Sequence, residues 1–516
     1  MKVVEQCYKF STLLLVTIIR KRTAKWNSFD TMMNTIYSTF LVFCAIALVA
    51  CSNDSRAEKP NIVFILVDDL GYSDLGYTGS SSYESPNVDA LAAAGMVFTN
   101  AYAASPICSP TRAAILSGKY PARLNLTDWI PGNRHYGPHK DQKLVSQPFE
   151  LELHLEEYTL AEAFQDAGYK TMFAGKWHLG EKEEYYPQFQ GFDINIAGNK
   201  TGHPSGGYFS PYENPQLTDG PEGEYLTDRL TDEVIQFINT NKDAPFFAYL
   251  SFYTVHLPLQ AKPEKVKKYT RKFSEMFTDE EPFSQEEGTF YKHRQNRPQY
   301  AAMIESMDEN VGRLLQCLEE NKLTENTIIV FTSDNGGMAT SNAMEHIPTT
   351  NLPLRVGKGY LYEGGIREPL IIKWPKRIQE GSSSHFSVNS TDLYPTLLDM
   401  AGLDLIPHQH RDGVTLKPIL EGNDQKTRPI FWHFPHYSGG LGGRPSGAVR
   451  LGDYKLIEFY EDMNVELYNI RKDIGEQNDL SKEAPEKVKQ LVDLLHHWRV
   501  EVGAQMPHPN PHFEQP

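Results

Sequence analysis

Cysteine is scarce in this chain, with five among 516 residues, and positive charge is in deficit, the formal net charge being -16. Three of the cysteines, Cys7, Cys44 and Cys51, lie at the N-terminal end, so only Cys108 and Cys317 remain in the body of the chain. A framework of several disulfides is therefore excluded as the source of stability. The acidic balance argues against a nucleic-acid partner, since phosphate backbones select basic surfaces. It also means that a polyanion is repelled at long range, and that binding one requires a local pocket of Lys, Arg and His. Long apolar runs are missing at the N-terminus too. Residues 13–19 and 40–50 are apolar, but each stretch is too short to span a bilayer as a helix.

The second of these runs ends Leu48-Val-Ala-Cys51 and is followed by Ser-Asn-Asp-Ser. That pattern resembles a bacterial lipoprotein signal, with residues 1–50 removed on export and Cys51 lipidated as the first residue of the mature chain. An uncleaved anchor is the alternative. On the first reading the protein sits in the periplasm or on the outer membrane of a bacterium, touching the membrane only through its lipid. Residues 51–60 are then a polar linker.

What the sequence does contain is core. With 40% hydrophobic and 22% charged residues, the chain can bury a large interior. Asn61-Ile-Val-Phe-Ile-Leu-Val67 is continuously apolar after its first residue, as a strand buried on both faces of a parallel sheet must be. It ends in Asp68-Asp69, two adjacent carboxylates with no packing use. Residues 327–332 repeat the pattern and end in Ser333-Asp334-Asn335-Gly336. Residues 169–174, preceded by a helical stretch over 160–167, end in Gly175-Lys176-Trp-His178. Residues 246–252 lead into Tyr253-Thr-Val-His256. Ligands bind at the carboxyl edge of such sheets, so these polar ends are expected to converge.

The fold class expected for residues 61–422 is α/β, a large mixed and mainly parallel sheet flanked by helices. Residues 423–516 read as a small C-terminal α+β subdomain. Strands over 429–433, 446–450, 453–457 and 465–468 form its antiparallel sheet, and a helix spans 485–500. Residues 199–221, rich in Gly, Pro, Ser and Tyr, form either a site wall or an excursion. Residues 262–299, strongly charged, read as a solvated helical insertion.

The stretch that organises the rest is Ala104-Ser-Pro-Ile-Cys-Ser-Pro-Thr-Arg-Ala-Ala-Ile-Leu-Ser-Gly-Lys-Tyr-Pro121. It follows an expected strand over 97–103. Pro110 suits the first residue of a helix and Gly118 its end. Cys108 then lies at a helix N-terminus, where free N–H groups favour an anion, and Arg112 adds fixed charge. The alternative is a small buried hydrophobe. A thiolate phosphatase would want Cys-x5-Arg, and the spacing here is Cys-x3-Arg. Cys317 lies at a core spacing in a helical stretch over 301–321 and reads as inert. Asp68, Asp69, Asp334 and Asn335 offer only oxygen, which suits Ca2+ or Mg2+ better than Zn2+.

Cys108-Ser-Pro-Thr-Arg112 resembles the Cys-x-Pro-x-Arg signature of the formylglycine-dependent sulfatases, and Leu116-Ser-Gly-Lys-Tyr-Pro121 resembles the segment that follows it. Glu466-Leu-Tyr-Asn-Ile470 with Asp473 resembles the family's closing motif, so the resemblance runs from about residue 59 to the C-terminus. It implies an alkaline-phosphatase-like fold. It also implies that a formylglycine-generating or anaerobic maturation enzyme oxidises Cys108 to formylglycine during export. One divalent ion, calcium rather than magnesium, would be held by Asp68, Asp69, Asp334, Asn335 and an oxygen of the residue at Cys108. In the implied mechanism the hydrated aldehyde attacks sulfur and an alcohol leaves. Arg112 and Lys176 steady the formylglycine oxygens, His178 takes a proton, His256 protonates the leaving oxygen and Lys358 binds sulfate.

The expected substrate is a sulfate ester on a polysaccharide or oligosaccharide, algal such as ulvan or a sulfated galactan, or alternatively a host glycosaminoglycan. Candidate sugar contacts are His203, Arg355, His433, His436 and Arg444. Two other readings stay open. A phosphatase or phosphodiesterase of the same superfamily would use a Ser or Thr nucleophile and usually two metals. A glycan-binding protein built from an inactive relative is the non-enzyme alternative.

Overall fold

The computed structural model describes Met33, Tyr37, residues 59–132 and residues 139–514. Apart from Met33 and Tyr37, the expected signal lies outside the described residues, as does Cys51. Asn61–Val67 forms strand β1, buried along its whole length. Its side chains alternate between two cores: Val63, Ile65 and Val67 join one, and Ile62, Phe64 and Leu66 the other. This is why the run is apolar throughout rather than at every second position. Each such side chain contributes about 1.5–3 kcal/mol by leaving water.

Seven further strands complete the sheet: β2 (Met96–Phe98), β3 (Lys170–Gly175), β4 (Ile194–Ile196), β5 (Phe246–Ser251), β6 (Thr327–Ser333), β7 (Leu370–Lys373) and β8 (Ser382–Ser384). Their order across the sheet is β8-β2-β7-β6-β1-β5-β3-β4. β1 runs parallel to β5 and β6, and β3 parallel to β4 and β5, whereas β7 is antiparallel to both of its neighbours. The mixed, mainly parallel sheet expected from the sequence is the one observed. Its register is what matters for function: Val67 lies opposite Ser333, and Ser251 opposite both Leu66 and Gly175. The four polar ends therefore leave the sheet at one edge.

Helices α1 (Cys108–Ser117), α2 (Leu160–Asp166), α3 (Leu226–Asn241), α4 (Pro263–Met276) and α5 (Pro298–Glu320) belong to the same unit. Thr159 caps α2 through a reciprocal pair with Glu162. Cys317 is buried on α5, as its spacing requires.

Three local expectations need correction. The stretch 97–103 is not one strand: β2 ends at Phe98, and Ala101–Tyr102 pairs separately with Val388–Asn389. α1 starts at Cys108, not Pro110, because proline is tolerated throughout the first turn, whose N–H groups lack partners in any case. The insertion 262–299 is only half helical. After α4, which buries Tyr269 and Phe273, it makes a hairpin of Phe283–Glu286 and Thr289–Lys292, joined by Thr340–Ser341.

A four-stranded antiparallel sheet follows: β9 (Ile430–Phe434), β10 (Ser446–Leu451), β11 (Tyr454–Phe459) and β12 (Val465–Asn469), with helix α6 (Pro485–Val502) against it. It docks through a buried ionic cluster in which Lys455 of β11 holds Glu363 at 3.0 Å and Glu476 at 2.9 Å. From Lys59 onward the chain is one compact unit, so the change of architecture near residue 422 is not a break in packing.

Candidate active site

β1 and β6 end side by side, and this brings their carboxylates together. Asp69 has φ of 59°, a left-handed conformation uncommon outside glycine, and is held there from several sides. Its N–H donates to Asp334 Oδ1 at 3.2 Å, and its Oδ1 accepts from Asn335 Nδ2 at 2.8 Å and Lys358 Nζ at 2.6 Å. Lys176, delivered by β3, donates to both oxygens of Asp68 at 2.9 and 2.7 Å. Reaching that position requires Gly175: its φ is +116°, and a Cβ there would lie 1.7 Å from the Ser251 carbonyl oxygen.

Arg112 projects from α1 into the same edge. Its Nε donates to Asp334 Oδ2 at 2.8 Å, and its Nη1 donates to Ser251 Oγ at 2.8 Å and the Lys176 carbonyl at 2.6 Å. Burial pushes Asp334 up, but the charges of Arg112 and Lys176 hold it below the usual carboxylate range. Burial dominates at Asp68 and raises it well above that range. Cys108 opens α1 at the edge of this cluster, and the ligand atoms of Asp68, Cys108 and Asp334 lie within 4.8 Å of one another. Burial raises its thiol, which keeps it protonated and a poor nucleophile as it stands.

The oxygen donors fit a hard cation. Asp69 Oδ2 and Asn335 Oδ1 are buried without a hydrogen-bond partner, an arrangement that costs free energy unless something positive faces them.

Two histidines complete the edge. His178 also has a positive φ, 60°, and its Nε2 lies 2.5 Å from the Ile130 carbonyl oxygen. Nε2 therefore carries the proton, and Nδ1, buried and without a partner, keeps its lone pair. Burial and then Lys176 depress its pKa well below the ordinary value. His256 donates from Nδ1 to the Leu257 carbonyl at 2.8 Å, which aims Nε2 towards Asp69 Oδ2, 3.7 Å away. Burial lowers it to about 3, against the opposing pull of Asp69.

These groups open into a pocket of about 540 Å³ whose lining includes Cys108, His178, His203, His256 and Lys358. The 199–221 stretch is a wall of this pocket at Lys200, Thr201, Gly202 and His203. Sequence reasoning missed Trp129, Glu181 and Leu441 in the lining, and Ser251 behind Arg112. None lies at a motif, although Ser251 is the polar last residue of an apolar strand.

Four expected sugar contacts, Arg355, His433, His436 and Arg444, do not line this pocket. Arg355 is engaged by Glu286 at 2.7 Å and stacks on Tyr362, 3.9 Å from its ring centre. His433 bonds Tyr460 Oη at 2.7 Å and the Gln505 carbonyl at 3.1 Å. His436 is buried against Thr127 Oγ1 at 2.9 Å. Arg444 pairs with Glu287 at 2.8 Å and lies over Phe459. All four hold the C-terminal sheet and its surroundings together.

Residues 60–403 match the protein family described as Sulfatase, and residues 356–502 match the one described as N-sulphoglucosamine sulphohydrolase, C-terminal. The chain is 34% identical over 512 residues to a Formosa agariphila protein named Sulfatase, covering 85% of this chain and 87% of that one. It is 32% identical over 440 residues to the N-acetylgalactosamine-6-sulfatase of Mus musculus, covering 80% of this chain and 74% of the relative. Among solved structures, Ps i-CgsB in complex with k-i-k-neocarrahexaose matches with a TM-score of 0.68 and 30% identity, over 86% of this chain and 93% of that one.

Proposed function

This chain belongs to the sulfatase family, and we propose that it removes sulfate esters from a sulfated polysaccharide or oligosaccharide, an algal one such as ulvan or a sulfated galactan. Membership makes it a hydrolase of sulfate esters with an alkaline-phosphatase-like fold. The observation that carries the proposal is Cys108 beside Asp68 and Asp334, opening into a pocket lined by His178, His256 and Lys358. The similar structure holding a neocarrahexaose supports a galactan. The likeness to an N-acetylgalactosamine-6-sulfatase favours a host glycosaminoglycan as the second reading.

Formylglycine made from Cys108 supplies a hydroxyl nucleophile for sulfur, and a divalent cation on Asp68, Asp69, Asp334 and Asn335 supplies charge to its oxygens. The chain's own residues do the rest. Arg112 is fixed at three points, so it presents a guanidinium beside position 108 without reorganising during the reaction. Lys358 and Lys176 bring ammonium groups to the carboxylate cluster, where they neutralise it, and Lys358 also lines the pocket that a sulfate would enter. His178 offers the unprotonated Nδ1 as a base. His256 faces the leaving oxygen through Nε2, the nitrogen not tied to backbone, and can act as an acid there once Nε2 takes up a proton, a state that Asp69 Oδ2, 3.7 Å away, favours.

A sugar alkoxide is a far poorer leaving group than an acidic phenol, so it needs the proton more. His256→Ala is therefore expected to slow desulfation of sugar sulfates by about 10²–10⁴-fold and that of a nitrophenyl sulfate by much less. Equal losses on the two substrates would remove His256 from the acid role.

Export as a lipoprotein modified at Cys51, to the periplasm or outer membrane, would place the enzyme where polymer fragments arrive. A panel of defined sulfated oligosaccharides, with an aryl sulfate as control, tests the substrate class. Running it on intact cells and on periplasmic extract reads location as well. Hydrolysis of the aryl sulfate alone, with every glycan left intact, would refute the carbohydrate assignment and leave the sulfatase chemistry standing.

A further inference from the structure

We propose that the outer face of α4 is a second binding site, outside the catalytic pocket, for a distal stretch of a sulfated glycan chain; the inference rests on the glycan reading above. An open groove of about 890 Å³ lies there, lined by Phe209, Gln260, Lys267, Thr270, Arg271 and Gln299 among others. Lys267 and Arg271 are four residues apart on the helix and so share a face. Both are exposed, and neither makes an ion pair among the described residues.

That isolation is unusual on this helix. Lys265 is held by Glu305 and Glu309, Lys268 by Glu305 and Glu84, and Lys272 by Glu84. The inner cations of α4 are thus neutralised against neighbouring elements. The outer two are left free in a chain whose net charge is -16. Glu264 and Glu275, on the same helix, do not line the groove. Two free cations complement sulfates spaced along a polymer, and Phe209, Gln260, Thr270 and Gln299 add aromatic and polar surface to the same lining.

The groove is also tied to the catalytic wall through Tyr208. Tyr208 Oη lies 2.6 Å from the Tyr253 carbonyl oxygen and 2.8 Å from that of His256, and its N–H donates to Gln260 Oε1 at 2.8 Å. Phe209, the next residue, lines the groove, and His256 lines the pocket. The 199–221 stretch therefore lines the pocket through Lys200, Thr201, Gly202 and His203 and the groove through Phe209, so a polymer that runs along this stretch from the catalytic pocket meets Lys267 and Arg271.

The test is the Lys267→Glu/Arg271→Glu double variant of the full chain. With ι-carrageenan or heparin, whichever the parent desulfates, kcat/KM is expected to fall about threefold to thirtyfold, and turnover of a nitrophenyl sulfate to stay unchanged. Retention in gels containing either polysaccharide, measured in a Cys108→Ala background, should fall in parallel, and a neutral dextran gel should not distinguish the proteins. Unchanged retention together with unchanged kcat/KM would overturn the proposal, as would binding of phosphatidylglycerol vesicles in place of the glycans. If the parent desulfates no glycan, the glycan reading fails on its own, and retention alone decides the groove. Should aryl sulfate turnover also fall, the Lys267→Gln/Arg271→Gln pair is read by the same two measurements, and its result stands.

Discussion

Cys108→Ala is expected to lower sulfate-ester turnover by at least about 10⁴-fold while leaving the fold intact, because it removes the nucleophile's precursor and little else. The side chain is 3% exposed and packs with Ile107 and Tyr102 in a small apolar cluster. Loss of one sulfur there leaves a small void, worth about 1 kcal/mol, and alanine suits the first turn of α1. The melting temperature should therefore move little. In the parent, the peptide carrying position 108 should be about 18 Da lighter than its sequence mass, the difference between a thiol and an aldehyde at that carbon. The raised pKa of the buried thiol makes the alternative of direct thiolate attack a poor one. A fully active protein with an unmodified Cys108 would nonetheless defeat the assignment. Protein made without a maturation enzyme should behave like Cys108→Ala and retain its sulfur.

Much of this edge is legible in the sequence because two simple constraints coincide there. A strand buried on both faces has to be apolar at every position, so β1, β3, β5 and β6 stand out. The residues that follow them are then conspicuous for their polarity. What cannot be read locally is what depends on partners far along the chain. Ser251 looks like the end of a strand until Arg112 is seen on it, 139 positions away. The hairpin at Phe283–Lys292 carries Ser, Gln and Glu in a strand with no apolar alternation, and its charge made it resemble a solvated helix. His433 and His436, close to aromatic residues and glycines, have the composition of a sugar subsite. The structure spends them on Tyr460 and Thr127 instead. A histidine's role is set by whether its second nitrogen is left free, and only three-dimensional placement decides that.

Exhaustive chelation is expected to abolish turnover, and Ca2+ to restore it, with Zn2+ restoring far less because every protein donor is oxygen. The accompanying loss of stability should be moderate, and the cluster itself shows why. Lys176 already holds both oxygens of Asp68, Lys358 holds Asp69, and Arg112 holds Asp334. Three cations thus offset three carboxylates at an edge that would otherwise repel itself. What they do not satisfy is Asn335 Oδ1 and Asp69 Oδ2. Binding of an ion at a thousandfold excess over its dissociation constant stabilises a fold by about 4 kcal/mol, so the melting temperature should drop on chelation and recover with calcium. The loss of activity has a second cause. Without an ion to share it, Asp69 holds Lys358 more tightly, and Lys358 is the lysine that lines the pocket a sulfate would enter. Asp334→Asn should weaken calcium affinity and also leave Arg112 without its closest anionic partner, lowering both activity and melting temperature. Elemental analysis of the purified protein should find one calcium per chain. Full activity in protein shown to be metal-free would mean that Asp68, Asp69, Asp334 and Asn335 serve the site through Lys176, Lys358 and Arg112 alone.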